Sequence, residues 1–279
     1  MSNTTQHGRR RIRKARRIDW GGAALLLYVI AFLVFLVMPI IAVVAVSFSS
    51  ASFIVFPMPG LSLRWYGRII AYRPFIDSLI VSIEIAVCSA TLGAFLGVPA
   101  VLWVARSPSR IASVVANLLL APIAVPAIVL GFALLYLLSD LMLGISFLSL
   151  LIAHTVIAIP YVARTTFAVY RAQSPDLEEA AAVLGASRWQ TLRHVTVPLI
   201  RPGIFAGGLF AVLISLDNLP LSFFFGNSDV NTLPVVMLSY MQNQFDPSIA
   251  AISTVQMLIA LVTLAVVQAL YGVDRLITT

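Results

Sequence analysis

Six apolar runs, each long enough to cross a bilayer, decide what this chain can be. They cover residues 21–47, 77–104, 112–138, 146–170, 200–225 and 249–271. A helix rises 1.5 Å per residue, so a hydrocarbon core of about 30 Å takes about 20 apolar residues. In lipid, every backbone N–H and C=O has to find its partner inside the protein, and a helix meets that demand within one segment. The expected fold class is all-α: a polytopic membrane protein with six transmembrane helices. The third and fourth runs are separated only by Ser139 to Ile145, so that boundary is the least marked.

Composition agrees. Of 279 residues, 60% are hydrophobic and 10% charged, against about 25% charged in a soluble domain. The expected organisation is a basic leader at 1–20 and a single membrane domain at 21–279. The first run, Gly21 to Val46, exceeds the apolar stretch of a signal peptide and reads as a retained anchor. The single cysteine, Cys88, rules out an internal disulfide and reads as a small packed residue.

The net charge of +7 is unevenly placed. Seven of the eighteen basic residues lie between Arg9 and Arg17, directly before the first run. That anchors a span on its cytoplasmic side. Without interleaved aromatics, the leader points to anionic lipid headgroups rather than to nucleic acid. Six spans then put both termini in the cytoplasm. With that topology fifteen of the eighteen basic residues fall inside, and only Arg64, Arg68 and Arg73 fall outside. Outside too are Asp140, Asp229 and Asp246. The outer segment Ser62 to Ile70 (SLRWYGRII) reads as a short interfacial helix with Trp65 and Tyr66 at headgroup depth. Thr232 to Met241 is too short to span and reads as re-entrant or lying on the outer mouth.

A few polar groups sit inside the runs, where polarity is costly and usually paired or functional. Asp217 and Asn218 interrupt the fifth run, and Pro220 removes a backbone hydrogen bond there. Broken spans often mark transport sites. Asp217 has two readings, a pathway carboxylate or a cap of the helix beyond the break. Glu84, in the second run, is the third candidate pathway residue, with a structural role as its alternative. His154 reads as a packed, hydrogen-bonded histidine. Gly93 and Gly97 allow close helix contact, and Pro122 and Pro126 would kink the third span. Gly203, Gly207 and Gly208 would let the fifth helix approach a partner subunit.

Several chemistries are excluded. No phosphate-cradling Gly-x-x-x-x-Gly-Lys-Ser/Thr occurs, and Lys14 is the only lysine. Three scattered histidines offer no metal cluster, so no metal ligands are assigned. No nucleophile set is recognisable. The chain therefore reads as no enzyme, and any ATP hydrolysis coupled to it belongs to another polypeptide.

The longest polar interruption in the later part of the chain runs from Ser174 to Pro198 (SPDLEEAAAVLGASRWQTLRHVTVP). It reads as two short helices joined at a glycine. Ser174 caps the first, with Pro175 in its first turn and Asp176, Glu178 and Glu179 at the positive end of its dipole. Gly185 ends it in a left-handed conformation. Ser187 and Gln190 form a capping box that starts the second helix, and Pro198 stops that helix.

This spacing resembles the loop signature of permease subunits of bacterial ABC importers. In that signature Glu-Ala-Ala is followed after three residues by Gly, and nine residues later by Ile-x-Leu-Pro. Here it is matched by Glu179-Ala180-Ala181, Gly185 and Val195-Thr196-Val197-Pro198, with Val in place of Ile and of Leu. Ala153 to Arg164 and Leu213 to Gly226 are similar to the spermidine/putrescine group. Several expectations follow from the resemblance. The fold should be like that of a type I ABC importer permease. Glu179, Ala180, Ala181, Gly185, Ala186, Ser187, Arg188 and Trp189 should form the ATPase-coupling site. ATP and magnesium should bind on partner subunits, with no cofactor on this chain. The partners should be two copies of an ABC ATPase, a second and different permease, an extracytoplasmic binding protein and the lipid bilayer, and no nucleic acid. The expected function is translocation of a polyamine across a bacterial inner membrane. Other solutes (an amino acid, a phosphonate, a metal ion) and a self-contained secondary transporter are the alternatives.

Overall fold

The computed structural model describes residues 20–227 and 230–271, so the basic leader, Asp229 and Arg275 lie outside the described residues. Apart from one isolated antiparallel bridge between Ser49 and Leu61, the described residues form helices and loops. Two compact units divide at Val43–Val44. The first consists of most of helix α1, Trp20–Ser47. Its large apolar side chains, among them Leu27, Phe32, Phe35 and Met38, are exposed. A helix apolar around its whole circumference has lipid as its natural solvent.

The second unit is built on three long helices: α3, Arg73–Arg106; α6, Phe147–Arg171; and α9, Val197–Leu216. They carry the predicted second, fourth and fifth spans. Small residues bring them together. A Cβ at Gly93 of α3 would stand 3.0 Å from the Ala158 Cβ of α6 and 3.2 Å from its carbonyl carbon. A Cβ at Gly207 of α9 would collide with the Thr165 hydroxyl and stand 2.6 Å from the Val162 Cα of α6. Ala90, Ala158, Val162 and Ala211 fill the seam. Gly203 and Gly207 therefore serve contact within this chain rather than with a second subunit, and only Gly208 faces open space.

The predicted third span, 112–138, is not one straight helix. It is a pair, α4 (Arg110–Ala124) and α5 (Ala127–Asp140), bent by 110° at the break. Pro126 disfavours helical geometry at the residue before it, and Val125 is extended at ψ 132°. Among the described residues, five helices are thus long and apolar enough to cross a membrane, or six if the bent pair counts as one span. The last of them is α12, Ser248–Tyr271.

The fifth span also differs from expectation. The helical run begins at Arg188 and ends at Leu216, instead of covering 200–225. Pro198 does not stop the helix that starts at Arg188. A π-turn, Leu192–Thr196, ends two residues before it, and the Val197 N–H reaches back to the Leu192 carbonyl. The wider turn eases the crowding that a proline ring imposes on the preceding turn, so the helix carries on into α9.

At the far end of α3 from Arg106 lies α2, Arg64–Ala71, and beside it α11, Leu233–Asn243. Trp65 does not face lipid headgroups. It is 4% exposed and packs with Ile69, Phe75, Leu233 and Tyr240, while its indole N–H donates to the Ser49 carbonyl at 2.8 Å. Arg68 pairs with Asp246 at 3.2 Å, and Asp246 also accepts from the Tyr240 hydroxyl and the Ser248 N–H. Cys88 is exposed on α3 rather than packed.

Candidate functional site

Two features stand out, one at each end of the run Arg188–Leu216. The first is the polar loop. Its first helix is α7, Asp176–Val183. Ser174 lies one residue outside the N-cap position, which Pro175 occupies, and its Oγ accepts from the Asp176 N–H at 3.4 Å. Gly185 has φ +83°. The Gly185 N–H donates to the Ala182 carbonyl and the Ala186 N–H to the Ala181 carbonyl, both at 3.0 Å. This paired closure needs a left-handed residue at Gly185. The second helix, α8 (Arg188–Thr191), opens on a complete capping box. Gln190 Oε1 accepts from the Ser187 N–H at 2.7 Å, and Ser187 Oγ accepts from the Gln190 N–H at 3.3 Å.

The tip of this loop is apolar and uncovered. Val183 and Leu184 are each 88% exposed and Trp189 67%. Of the expected coupling residues, Glu179, Ala180, Gly185, Ser187, Arg188 and Trp189 are exposed, and Ala181 and Ala186 half-buried. Val183 and Leu184 are exposed beside them, although the signature does not mark them. Their signal in the sequence is two adjacent aliphatics inside an otherwise polar loop.

Behind the tip, Glu178 gathers three donors on one carboxylate oxygen. Arg106 Nη2 and Thr196 Oγ1 each donate to its Oε1 at 2.7 Å, and the Tyr170 hydroxyl donates at 3.4 Å. Arg106 Nη2 also donates to Thr196 Oγ1 at 3.0 Å, and its Nε to the Tyr170 hydroxyl at 3.2 Å. Burial pushes the Glu178 carboxyl upward. The hydrogen bonds from Thr196 and Arg106, together with the Arg106 charge, outweigh it and hold the group below the usual carboxylate range. Neither Arg106 nor Glu178 is marked as a pair by the sequence, since 72 residues separate them.

The second feature is the break that ends α9. Beyond Leu216 the chain turns through Asp217 and Asn218 into a single helical turn, α10, Leu219–Ser222. The cap of that turn is Asn218, not Asp217: Asn218 Oδ1 accepts from the Leu221 N–H at 3.1 Å. The Leu216 carbonyl, freed by the break, accepts from Gln256 Nε2 of α12 at 3.1 Å. His154 of α6 is buried and bridges the break, with Nδ1 2.7 Å from Ser215 Oγ and Nε2 3.0 Å from Ser222 Oγ. Among the described residues, no hydrogen bond or ion pair occupies the Asp217 carboxylate. It is exposed on the wall of a hollow of about 480 Å³ between α9, α11 and α12. The rest of that wall is mostly apolar, with Met237, Met241 and Met257 prominent and Ser253 and Gln256 adding polar atoms. Asn218 is buried in its capping role, and Glu84 lies on an exposed face of α3 outside the hollow.

Membrane-length helices, an uncovered apolar loop at one end and an open hollow at a broken span define a membrane transport subunit. Residues 89–275 match the family described as "Binding-protein-dependent transport system inner membrane component", and the chain belongs to that family. It is 32% identical over 227 residues to the putrescine transport system permease protein PotI of Escherichia coli K12, covering 79% of this chain and 80% of that one. It is 30% identical over 227 residues to the spermidine/putrescine transport system permease protein PotC of Haemophilus influenzae, covering 81% and 88%. Among solved structures, a bacterial ABC transporter that imports the acidic polysaccharide alginate superposes with a TM-score of 0.71 at 20% identity. That match covers 91% of this chain and 98% of the other. The fold is that of an ABC importer permease, and the chain is a multi-pass inner-membrane protein.

Proposed function

We propose that the chain moves a polyamine such as putrescine across the membrane, and that its 174–198 loop lies in the cytoplasm and docks an ABC ATPase. The loop carries the reading: Val183, Leu184 and Trp189 form an apolar tip exposed on a segment that Gly185 and a capping box hold in one shape. Exposed apolar side chains rimmed by polar ones mark a protein contact. With the loop inside, both termini lie in the cytoplasm, and the end carrying α2 and α11 meets an extracytoplasmic binding protein. One loop engages one ATPase, so the working unit holds two ATPase copies, which bind the ATP and magnesium, and a second permease. The spermidine/putrescine resemblance supports a different chain as that second permease. A functional complex holding two copies of this permease and no other would overturn the heterodimer.

The hollow at Asp217 supports the substrate. A carboxylate free of protein partners attracts an ammonium group, and flexible methionines accommodate a methylene chain. A strong site would hold the cation rather than pass it on, and this one has a single charge in an open cavity. The names of the similar permeases, PotI and PotC, point the same way. The test is uptake of radiolabelled putrescine into proteoliposomes holding the permease pair, the ATPase and the binding protein. Uptake that needs ATP and the ATPase supports the reading. Uptake by the permease alone, driven by an ion gradient, overturns it.

A further inference from the structure

We infer that Arg106 is a positioning residue that makes the 174–198 loop and α3 move as one body. The inference rests on the docking role proposed for that loop. Packing does not seat α7, for none of its residues is buried. Behind it lies a cavity of about 360 Å³, bounded by Ala105, Tyr170, Leu177, Thr196 and Leu199. What holds α7 across that space is polar. One guanidinium nitrogen, Arg106 Nη2, grips Glu178 of α7 and Thr196 of the π-turn together, and Nε of the same side chain grips Tyr170 near the end of α6.

An isolated surface ion pair contributes little. This one is neither isolated nor fully exposed. The Arg106 side chain is 39% exposed and that of Glu178 29%. Three segments meet at one carboxylate oxygen, so a shift of any of them strains the others. Arg106 is also the last residue of α3, so its contacts tie the end of that helix to the loop.

The other part of α3 touches α11, which forms one wall of the hollow. Ser82 Oγ accepts from the Leu233 N–H at 2.7 Å, at the first residue of α11, and α11 supplies Met237 and Met241 to the cavity wall. A push on the loop tip is thus delivered through Arg106 to α3, and through Ser82 to the α11 wall of the hollow. The quantity that reads this route is the coupling itself.

The experiment uses the whole importer in proteoliposomes and reads putrescine moved per ATP hydrolysed. Arg106→Gln and Glu178→Gln are each expected to lower that ratio about fivefold or more, the low end of typical couplings between sites. The ATPase stays bound in both, because the docking face from Glu179 to Trp189 is untouched. Two residues acting through each other give a double variant no worse than either single one. Arg106→Lys keeps the charge but lacks the fork that reaches three partners, so its ratio falls between native and Gln. A native ratio in Arg106→Gln overturns the inference, and so do losses that multiply in the double variant. If Arg106→Gln fails to assemble, Arg106→Lys decides: a lowered ratio in an intact complex supports the inference and a native ratio overturns it. A native chain that binds no ATPase overturns the docking role and this inference together. Native binding with an unchanged ratio overturns this inference alone.

Discussion

Replacing Gly185 tests the loop by conformation alone. At φ +83°, any L-residue with a Cβ is strained, yet no heavy atom lies within 4 Å of where that Cβ would sit. The cost is therefore backbone strain with no steric addition. A left-handed conformation costs an L-residue about 1–2 kcal/mol, with β-branched side chains worst and asparagine least affected. The loop samples other conformations at that cost, and the fraction ready to dock falls about 5- to 30-fold over the same range. The helix bundle lies elsewhere, so its melting temperature in detergent stays put. The assay is the ATPase concentration that gives half-maximal uptake in proteoliposomes. It should rise in the order Gly, Asn, Ala, Val, with Ala about fivefold and Val approaching 30-fold. Asparagine is larger than alanine, so this order separates conformation from bulk. Native behaviour of Gly185→Val, or an effect that tracks side-chain volume, would refute the reasoning.

Three other outcomes are expected. Asp217→Asn keeps size and removes charge, so putrescine uptake should fall about tenfold, the loss of one charge-assisted contact, while the complex still assembles; uptake at the native rate would remove Asp217 from the pathway. Gly207→Leu should destabilise the detergent-solubilised protein by ~3 kcal/mol or more of overpacking, read as a sharply lowered thermal midpoint, because α9 cannot stay against Thr165 and Val162; an unchanged midpoint would mean the two helices part easily. Because the folded pKa of Glu178 is depressed, the hold on α7 is fully present above the ordinary carboxylate range and is lost as pH falls through the lowered value. Hydrogen exchange of Asp176–Val183, corrected for intrinsic rate, should accelerate in that acid window, and Glu178→Gln should abolish the step.

What could be read from sequence was what neighbours along the chain decide. Gly185, the Ser187–Gln190 box and the interruption at Asp217 all depend on residues within a few positions, and each occurs in the folded chain. The identity of the cap at the break was less legible, because Asp217 and Asn218 are both good capping residues and only the turn geometry selects Asn218. Arg106 with Glu178, and His154 with Ser215 and Ser222, are pairings across 61 to 72 residues that only the packing of α3, α6 and α9 creates. Trp65 reads as interfacial by type, yet the contact of α2 with α11 and α12 draws it inward. The 110° bend at Val125 and Pro126 had its proline in view. Its angle is set by tertiary contacts, among them α5 resting on Leu221 and Phe224 at Gly131.

The π-turn has a mechanical consequence. Because it carries the helix past Pro198 without a stop, Arg188–Leu216 is one rod of 29 residues, about 43 Å long at 1.5 Å per residue. Its first residues, Arg188 and Trp189, lie in the loop proposed to dock, and its last is followed directly by Asp217. A tilt of about 5° at one end sweeps the other through about 4 Å, roughly the width of a methylene chain. On the docking role proposed above, a tilt taken up at the surface end is carried to Asp217 by this one continuous helix.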